Sequence, residues 1–173
     1  MRIKTIMNLI YRHLISCNKL AQKEGVRFGK NCQFNTKIFG TEPYLIEIGD
    51  NFYSSRNVKF VTHDGSVNVI RNLYPEYKNI DLFDKIIIGN NVFIGINATI
   101  LPGSTIGDNV IVGANSLVKG TLNSNSVYAG NPVRYICSIE EYLQKHKNKF
   151  DFTKNMSKKE KKKYLMEKFK IGS

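Results

Sequence analysis

Residues 86–118 read IIIGNN VFIGIN ATILPG STIGDN VIVGAN SLV, and divided into sixes the stretch repeats itself. Ile88, Ile94, Ile100, Ile106, Val112 and Val118 fall at strict six-residue steps, and Gly89, Gly95, Gly107 and Gly113 directly follow four of them. Four residues after each aliphatic comes a small or β-branched residue: Val92, Ala98, Ser104, Val110 and Ser116. A period of six is neither the 3.6 of a helix nor the plain alternation of a strand, so it marks a solenoid. Each hexapeptide supplies one short strand and one corner, and the repeated aliphatic points into a shared axial core. Gly, Asn and Asp sit where the corners need backbone conformations that other residues reach only at a cost. The fold class read from this stretch is an all-β solenoid, a β-helix.

Outward from the stretch the register weakens. Upstream, Phe28-Gly29 with Cys32 and Phe34-Asn35 with Ile38 make two loose hexapeptides, and Ile48-Gly49 with Phe52, Ser54 with Val58, and Phe60 with Asp64 continue them. Residues 65–85 keep no register and carry Arg71, Tyr74, Pro75, Tyr77 and Phe83. An unpatterned insertion of this length is usually functional, which makes Arg71, Tyr74 and Tyr77 the loop candidates for contact with an acceptor. Val127 and Val133 close the repeats. Residues 3–22 read as an amphipathic helix, with Ile6, Leu9, Ile10, Leu14 and Cys17 at helical spacing, suited to capping the first coil. From Ile136 the chain turns Lys-rich and helical again, as two helices joined near residues 150–156. Ser138 ahead of Glu140 and Glu141 starts the first; Ser157 ahead of Glu160 is a capping box in form only. The organisation expected is an N-terminal helix (1–25), a repeat domain (26–137) with its insertion loop (65–85), and a basic helical tail (138–173).

The net charge of +12 is carried by the two ends. Residues 1–30 hold seven Lys/Arg and one acid, residues 134–173 hold twelve and five, and the stretch between holds seven and eight. Near-neutral repeats argue against a basic groove for nucleic acid. Basic clusters beside an anionic leaflet gain about 1 kcal/mol per charge, so the termini suit an anionic membrane surface, although a solvated helix face accounts for the same residues. Cys17, Cys32 and Cys137 are odd in number and lack paired spacing, which speaks for a reducing cytosol and against a disulfide framework. Cys32, within a repeat, reads as a small core residue. No apolar run approaches the roughly 18–20 residues of a membrane span, and Asn8, Arg12 and His13 interrupt any signal-peptide core. The expected location is cytoplasmic.

Chemistry narrows to one histidine. His13 and His146 lie outside the repeats, so three imidazoles cannot converge on zinc there and no metal is expected. His63, in Val61-Thr62-His63-Asp64-Gly65, stands at the end of a repeat and the mouth of the insertion. Strand alternation puts Phe60, Thr62 and Asp64 on one side and Val61 and His63 on the other, outward side. An imidazole titrates near neutral pH and suits general-base work.

The hexapeptide run, the Ala129-Gly130-Asn131-Pro132-Val133-Arg134 segment and Thr62-His63-Asp64-Gly65 together resemble the bacterial hexapeptide-repeat acyltransferases. The similarity is greatest to the O-acetyltransferases of sugars: galactoside, maltose, capsule and O-antigen types. The resemblance spans roughly residues 26–137. It implies a left-handed parallel β-helix with three hexapeptides per coil, a homotrimer, and acetyl-CoA as cosubstrate between neighbouring subunits. It gives His63 the part of general base toward a sugar hydroxyl, a help worth about 10²–10⁴-fold, with backbone N–H groups at the Gly95 corner as oxyanion donors. Ala114 would admit the pantetheine arm, and Ala129, Asn131 and Pro132 the adenine end. Arg134 and Lys119 would meet the phosphates, and Phe93 would stand where relatives place Trp. Lys119 is displaced by one position from the lysine of the relatives. For the carboxylate that orients His63, Asp64 is adjacent, and the loop offers Asp84 and Asp81. N-acetylation of an amino sugar, serine acetylation and a non-catalytic scaffold are the alternatives on the same fold.

Overall fold

In the computed structural model, which describes residues 14–172, the repeated aliphatics all turn inward. Ile88, Ile94, Ile100, Ile106, Val112 and Val118 are buried, as are Val92, Ala98, Ser104, Val110 and Ser116. Each such Ile or Val contributes roughly 1.5–3 kcal/mol by leaving water. From Ile46 to Leu122 the strands are two or three residues long, and successive strands enter three sheets in rotation. The first sheet holds β1 (Arg27–Phe28), β2 (Ile46–Ile48), β5 (Ile86–Ile88), β8 (Thr105–Ile106) and β11 (Thr121–Leu122). The second holds β3 (Tyr53–Ser54), β6 (Phe93–Ile94), β9 (Val110–Val112), β12 (Ser126–Ala129) and β13 (Arg134–Ser138). The third holds β4 (Lys59–Phe60), β7 (Thr99–Ile100) and β10 (Leu117–Val118). Pairing is parallel, and between Ile88 and Val118 one circuit through the sheets takes 18 residues: Ile88 pairs with Ile106, Ile94 with Val112 and Ile100 with Val118. The exception is β13, which returns antiparallel on β12 and shields the second sheet's edge. That strand lies where the sequence pattern already suggests helix.

The corners divide their labour differently from the expectation. Asn31, Asn51, Asn57, Asn91, Asn97, Asn109, Asn115 and Asn125 take the left-handed conformation, with φ of 55–60°. They stack from circuit to circuit, Asn91 Nδ2 donating to Asn109 Oδ1 and Asn109 Nδ2 to Asn125 Oδ1, each at 2.8 Å. A short amide tolerates that backbone and bonds to its own copy above. The repeat glycines serve packing instead. A Cβ on Gly95 would stand 2.5 Å from the Ala114 nitrogen, so only hydrogen there lets the next circuit close.

Upstream of the insertion, aromatic rings take over the aliphatic positions. Phe34, Phe39, Phe52 and Phe60 are buried and in ring contact, Phe34 with Phe52 at 5.2 Å and Phe39 with Phe60 at 5.8 Å. Ile38 does not point inward as its hexapeptide suggests; Phe39 does, while buried Thr36 donates its hydroxyl to Val58 O at 2.6 Å. Cys32 sits half-buried at the core's edge, and burial pushes its thiol upward.

The first described helix, α1 (Cys17–Glu24), begins at Ser16, whose hydroxyl accepts the Lys19 N–H, and ends on Gly25 at φ 97°. The helix expected over 3–22 is therefore broken before Cys17, and Leu14 is exposed; residues 3–13 of that expectation lie outside the described residues. Leu20 and Ala21 join the core, and Asn18 bonds both Cys32 O and the Phe34 N–H of the first circuit. These contacts satisfy an edge that, among the described residues, no further circuit covers.

The chain divides into two units between Tyr142 and Leu143. A third helix, numbered below, covers Ile139–His146 with Glu140 and Glu141 in its first turn. In the second unit the helix Lys158–Lys168 carries a complete capping box: Ser157 Oγ accepts the Glu160 N–H, and Glu160 Oε2 accepts the Ser157 N–H. The motif is thus realised in full. Asp151 receives the Tyr164 hydroxyl at 2.6 Å and pairs with Lys168.

Candidate active site

The register decides where the chain can leave the repeats. β2, β3 and β4 pair with β5, β6 and β7, so the circuit is kept while the chain between Phe60 and Ile86 makes its excursion. Within the excursion lies α2 (Val67–Leu73), followed by a 3₁₀ turn (Pro75–Tyr77); the Ile139–His146 helix is α3 and Lys158–Lys168 is α4. Its neck is closed by backbone bonds. The Asp64 N–H donates to Leu82 O at 2.8 Å, the Asp84 N–H donates to Thr62 O at 3.2 Å, and His63 bridges Phe83 antiparallel.

Thr62, beneath His63, is fully buried and anchors the neck to the first circuit. Its hydroxyl donates to Glu42 Oε2 at 3.0 Å and accepts the Glu42 N–H at 3.3 Å. His63 stays partly exposed, with its ring 4.8 Å from the ring of Phe83. Its Nε2 is buried, makes no hydrogen bond, and faces Asp81 Oδ1 at 3.6 Å. His63 lines a pocket of ≈ 500 Å³. Val61, Leu82, Leu101 and Pro102 give that pocket apolar walls; Asp64, Asp84 and Lys119 give it charge. A few polar groups in an apolar concavity of this size suit a small hydroxylated ligand.

The sequence-derived catalytic set is only partly assembled as expected. Asp64 does not turn inward with Thr62: the strand β4 ends at Phe60, its alternation does not extend to Asp64, and Asp64 lines the same pocket as His63. The Ser66 N–H donating to Asp64 Oδ1 holds that carboxyl below the usual range, helped by the charge of Lys119. Asp84 also lines the pocket, accepts the Lys85 N–H at 2.7 Å and lies against Gly103. The carboxylate facing the His63 ring nitrogen is Asp81, the loop residue that the sequence offers with no mark to distinguish it. Phe83 and Glu42, which brace His63 and its strand, carry no sequence signal beyond their residue type.

The remaining candidates fall into three places. Gly95, Ala114 and Ala129 stack at one corner, where a Cβ on Gly95 would meet Ala114 and one on Gly113 would meet Ala129. The Gly95 N–H donates to Val112 O at 2.8 Å, so it is committed to the ladder and is not an oxyanion donor. Phe93 stacks on Tyr53 one circuit away, ring centroids 5.7 Å apart. Asn131 and Pro132 form the link after Gly130, whose N–H donates to Ser116 Oγ, and Arg134 opens β13 opposite Ala129. Lys119 is not with this group. It lies in the His63 pocket, because Val61, Leu101 and Lys119 follow the successive third-sheet strands, joined by Val61 N–H to Ile100 O and Leu101 N–H to Val118 O. Arg71, Tyr74 and Tyr77 are absent from the walls of that pocket; Tyr74 and Tyr77 meet edge-on at 6.4 Å, and Arg71 binds Ile80 O and Asp81. Among the described residues no three His, Cys, Asp or Glu side chains gather as a metal site.

Residues 85–120 match the bacterial transferase hexapeptide family (six repeats). Protein CapG of Staphylococcus aureus is 48% identical over 170 residues, covering 96% of either chain. Galactoside O-acetyltransferase of Escherichia coli is 35% identical over 67% of this chain, which spans about half that enzyme (55%). Among solved structures, a hexapeptide-repeat acetyltransferase of Vibrio cholerae complexed with acetyl coenzyme A superposes with a TM-score of 0.54 at 26% identity, over 66% of this chain and 60% of its own.

Proposed function

The chain belongs to the bacterial hexapeptide-repeat transferases, and from that premise we propose that it acetylates a sugar hydroxyl of a surface polysaccharide, of capsule or O-antigen type, with His63 as general base. It is an acetyltransferase that uses acetyl-CoA. The observation that carries the reading is His63, partly exposed in the wall of the pocket, with its buried Nε2 turned to Asp81. With Nε2 addressed to the carboxylate, Nδ1 is the nitrogen that can take a proton. The separation from Asp81 is beyond a hydrogen bond and closes in the reacting complex, as such contacts do.

The step balances without a covalent enzyme intermediate. The acceptor hydroxyl gives its proton to His63 as its oxygen bonds to the thioester carbonyl carbon. The tetrahedral intermediate then expels the thiolate of coenzyme A, which receives the proton from the imidazolium. Asp81 steadies the imidazolium while it exists, and holding both substrates together supplies much of the acceleration. The acetyl donor fits the corner of Gly95, Ala114 and Ala129, where small residues leave the coil surface low, with Asn131, Pro132, Arg134 and Phe93 as its further contacts. Asp64 and Asp84 suit acceptor hydroxyls. Lys119, beside them, is reassigned from the phosphates of the donor to this pocket.

The circuit of three sheets supports a left-handed parallel β-helix, and the site completed between subunits of a homotrimer is part of the same proposal. So is a cytoplasmic location with the Lys-rich end docking on the anionic inner membrane; among the described residues no helix is long and apolar enough to cross a membrane. Flotation with anionic vesicles at low salt tests the docking, and absence of binding refutes it. The enzymatic reading is tested by free-thiol release from acetyl-CoA against a panel of sugars and surface polysaccharides. Release that needs an acceptor and collapses by about 10²–10⁴-fold in His63→Ala supports it; failure to bind CoA at all favours the scaffold alternative.

A further inference from the structure

We infer that Arg71 is a positioning residue of the transfer reaction: it holds the carboxylate of Asp81 against His63 and does not contact the acceptor. The inference rests on His63 as the base proposed above.

The neck of the excursion fixes the backbone around His63 through the bonds of Asp64 to Leu82 and of Asp84 to Thr62. It does not fix the side chain of Asp81, which lies beyond the last of those bonds. Arg71 does so from the last turn of α2. Its Nε donates to Ile80 O at 2.7 Å while its Nη2 pairs with Asp81 Oδ1. One planar cation thus grips two consecutive residues, a backbone carbonyl and a carboxylate, which an ammonium cannot do with the same fixed geometry. The oxygen that Arg71 holds is also the one facing His63 Nε2. The guanidinium is largely covered, with 28% of its side chain exposed, and it is absent from the walls of the pocket. The charged groups around His63 are then Asp81, offset by Arg71, together with Asp64, Asp84 and Lys119 across the pocket.

The test compares full-length wild type with Arg71→Ala, Arg71→Lys, Asp81→Asn and the double variant Arg71→Ala/Asp81→Asn. The imidazole resonances of His63, identified by their loss in His63→Ala, are followed by NMR with no acceptor present. Asp81→Asn moves them, Arg71→Ala moves them in the same direction, and Arg71→Ala adds nothing once Asp81 is Asn. Unmoved resonances in Arg71→Ala, or a full extra effect in the double variant, overturn the inference. In thiol release with acetyl-CoA and methyl galactoside, kcat of Arg71→Ala falls about 10- to 100-fold, the size expected for a misplaced catalytic group, while the acceptor KM stays within about threefold. Arg71→Lys recovers part of the loss. A raised acceptor KM at unchanged kcat would return Arg71 to the acceptor site. If His63→Ala keeps full turnover, the base assignment falls, and the resonance comparison still decides whether Arg71 places Asp81.

Discussion

Replacing Gly95 by Ala adds one methyl group where two circuits touch. Its ideal Cβ stands 2.5 Å from the Ala114 nitrogen and 2.7 Å from the Gly113 carbonyl carbon. Ordinary carbon contacts begin near 3.5 Å, so the circuits must part by about 1 Å. Both touching partners are backbone atoms and have no rotamer to escape into. The ladder resists as well, since Gly95 N–H donates to Val112 O and Gly113 N–H to Tyr128 O, each at 2.8 Å. Gly95 has no left-handed φ, so the whole effect is steric. Overpacking of this kind costs about 1–3 kcal/mol, and at this chain length each kcal/mol lowers Tm by about 2–4 °C. Melting followed by circular dichroism should therefore show a fall of about 2–12 °C. Gly65→Ala is the control: a Cβ there meets nothing within 4 Å and the φ is not left-handed, so its change is at most about 1 kcal/mol and stabilising. A Gly95→Ala protein that melts with the wild type, or a Gly65→Ala protein that loses as much, refutes the packing argument.

Thr62→Val leaves the Glu42 N–H without its acceptor; it costs about 1–3 kcal/mol, read in the melting midpoint, and lowers turnover by loosening the strand that carries His63. Ser157→Ala removes the cap of α4 and destabilises that helix by about 0.5–2 kcal/mol, seen as faster hydrogen exchange at the Glu160 amide. Lys168 and the Tyr164 hydroxyl hold the Asp151 carboxyl below the usual range, and Asp151 in turn raises Lys168. A lowered acid stabilises above its ordinary value of about 4 and a raised base below its ordinary value of about 10. The Tyr164 ring resonances should therefore hold between those limits and shift as acid protonates Asp151; persistence of the acid transition in Asp151→Asn would contradict this.

Much of the repeat region is legible because burial there obeys one rule: every sixth aliphatic from Ile88 to Val118 is inside. Upstream, Phe34 and Phe60 fill the same inward positions, Phe52 fills the inward position of Val92, and the displaced Phe39 replaces Ile38, so a pattern defined on aliphatics fades there while the core continues. β13 escapes notice because residues 134–138 carry apolar residues that a short strand and a helix start share. His63 is readable from its place at the end of a repeat, and the pocket around it follows from stacking. Its carboxylate partner is not. The sequence offers Asp64 by adjacency and Asp81 and Asp84 from an unpatterned loop, and the contact of Asp81 with both His63 and Arg71 exists only once the loop and α2 have folded. Lys119 lines the pocket of His63 because it directly follows the third-sheet strand that ends at Val118.

The most direct test of the account is the fate of the acetyl group. Wild type and His63→Ala are incubated with radiolabelled acetyl-CoA and a panel of surface-polysaccharide sugars, and the label on the sugar is then challenged with hydroxylamine. The account predicts label on a sugar in the wild type, released by hydroxylamine as an ester is, and absent in His63→Ala. Label that resists hydroxylamine, as an amide does, or that forms equally well without His63, would contradict it.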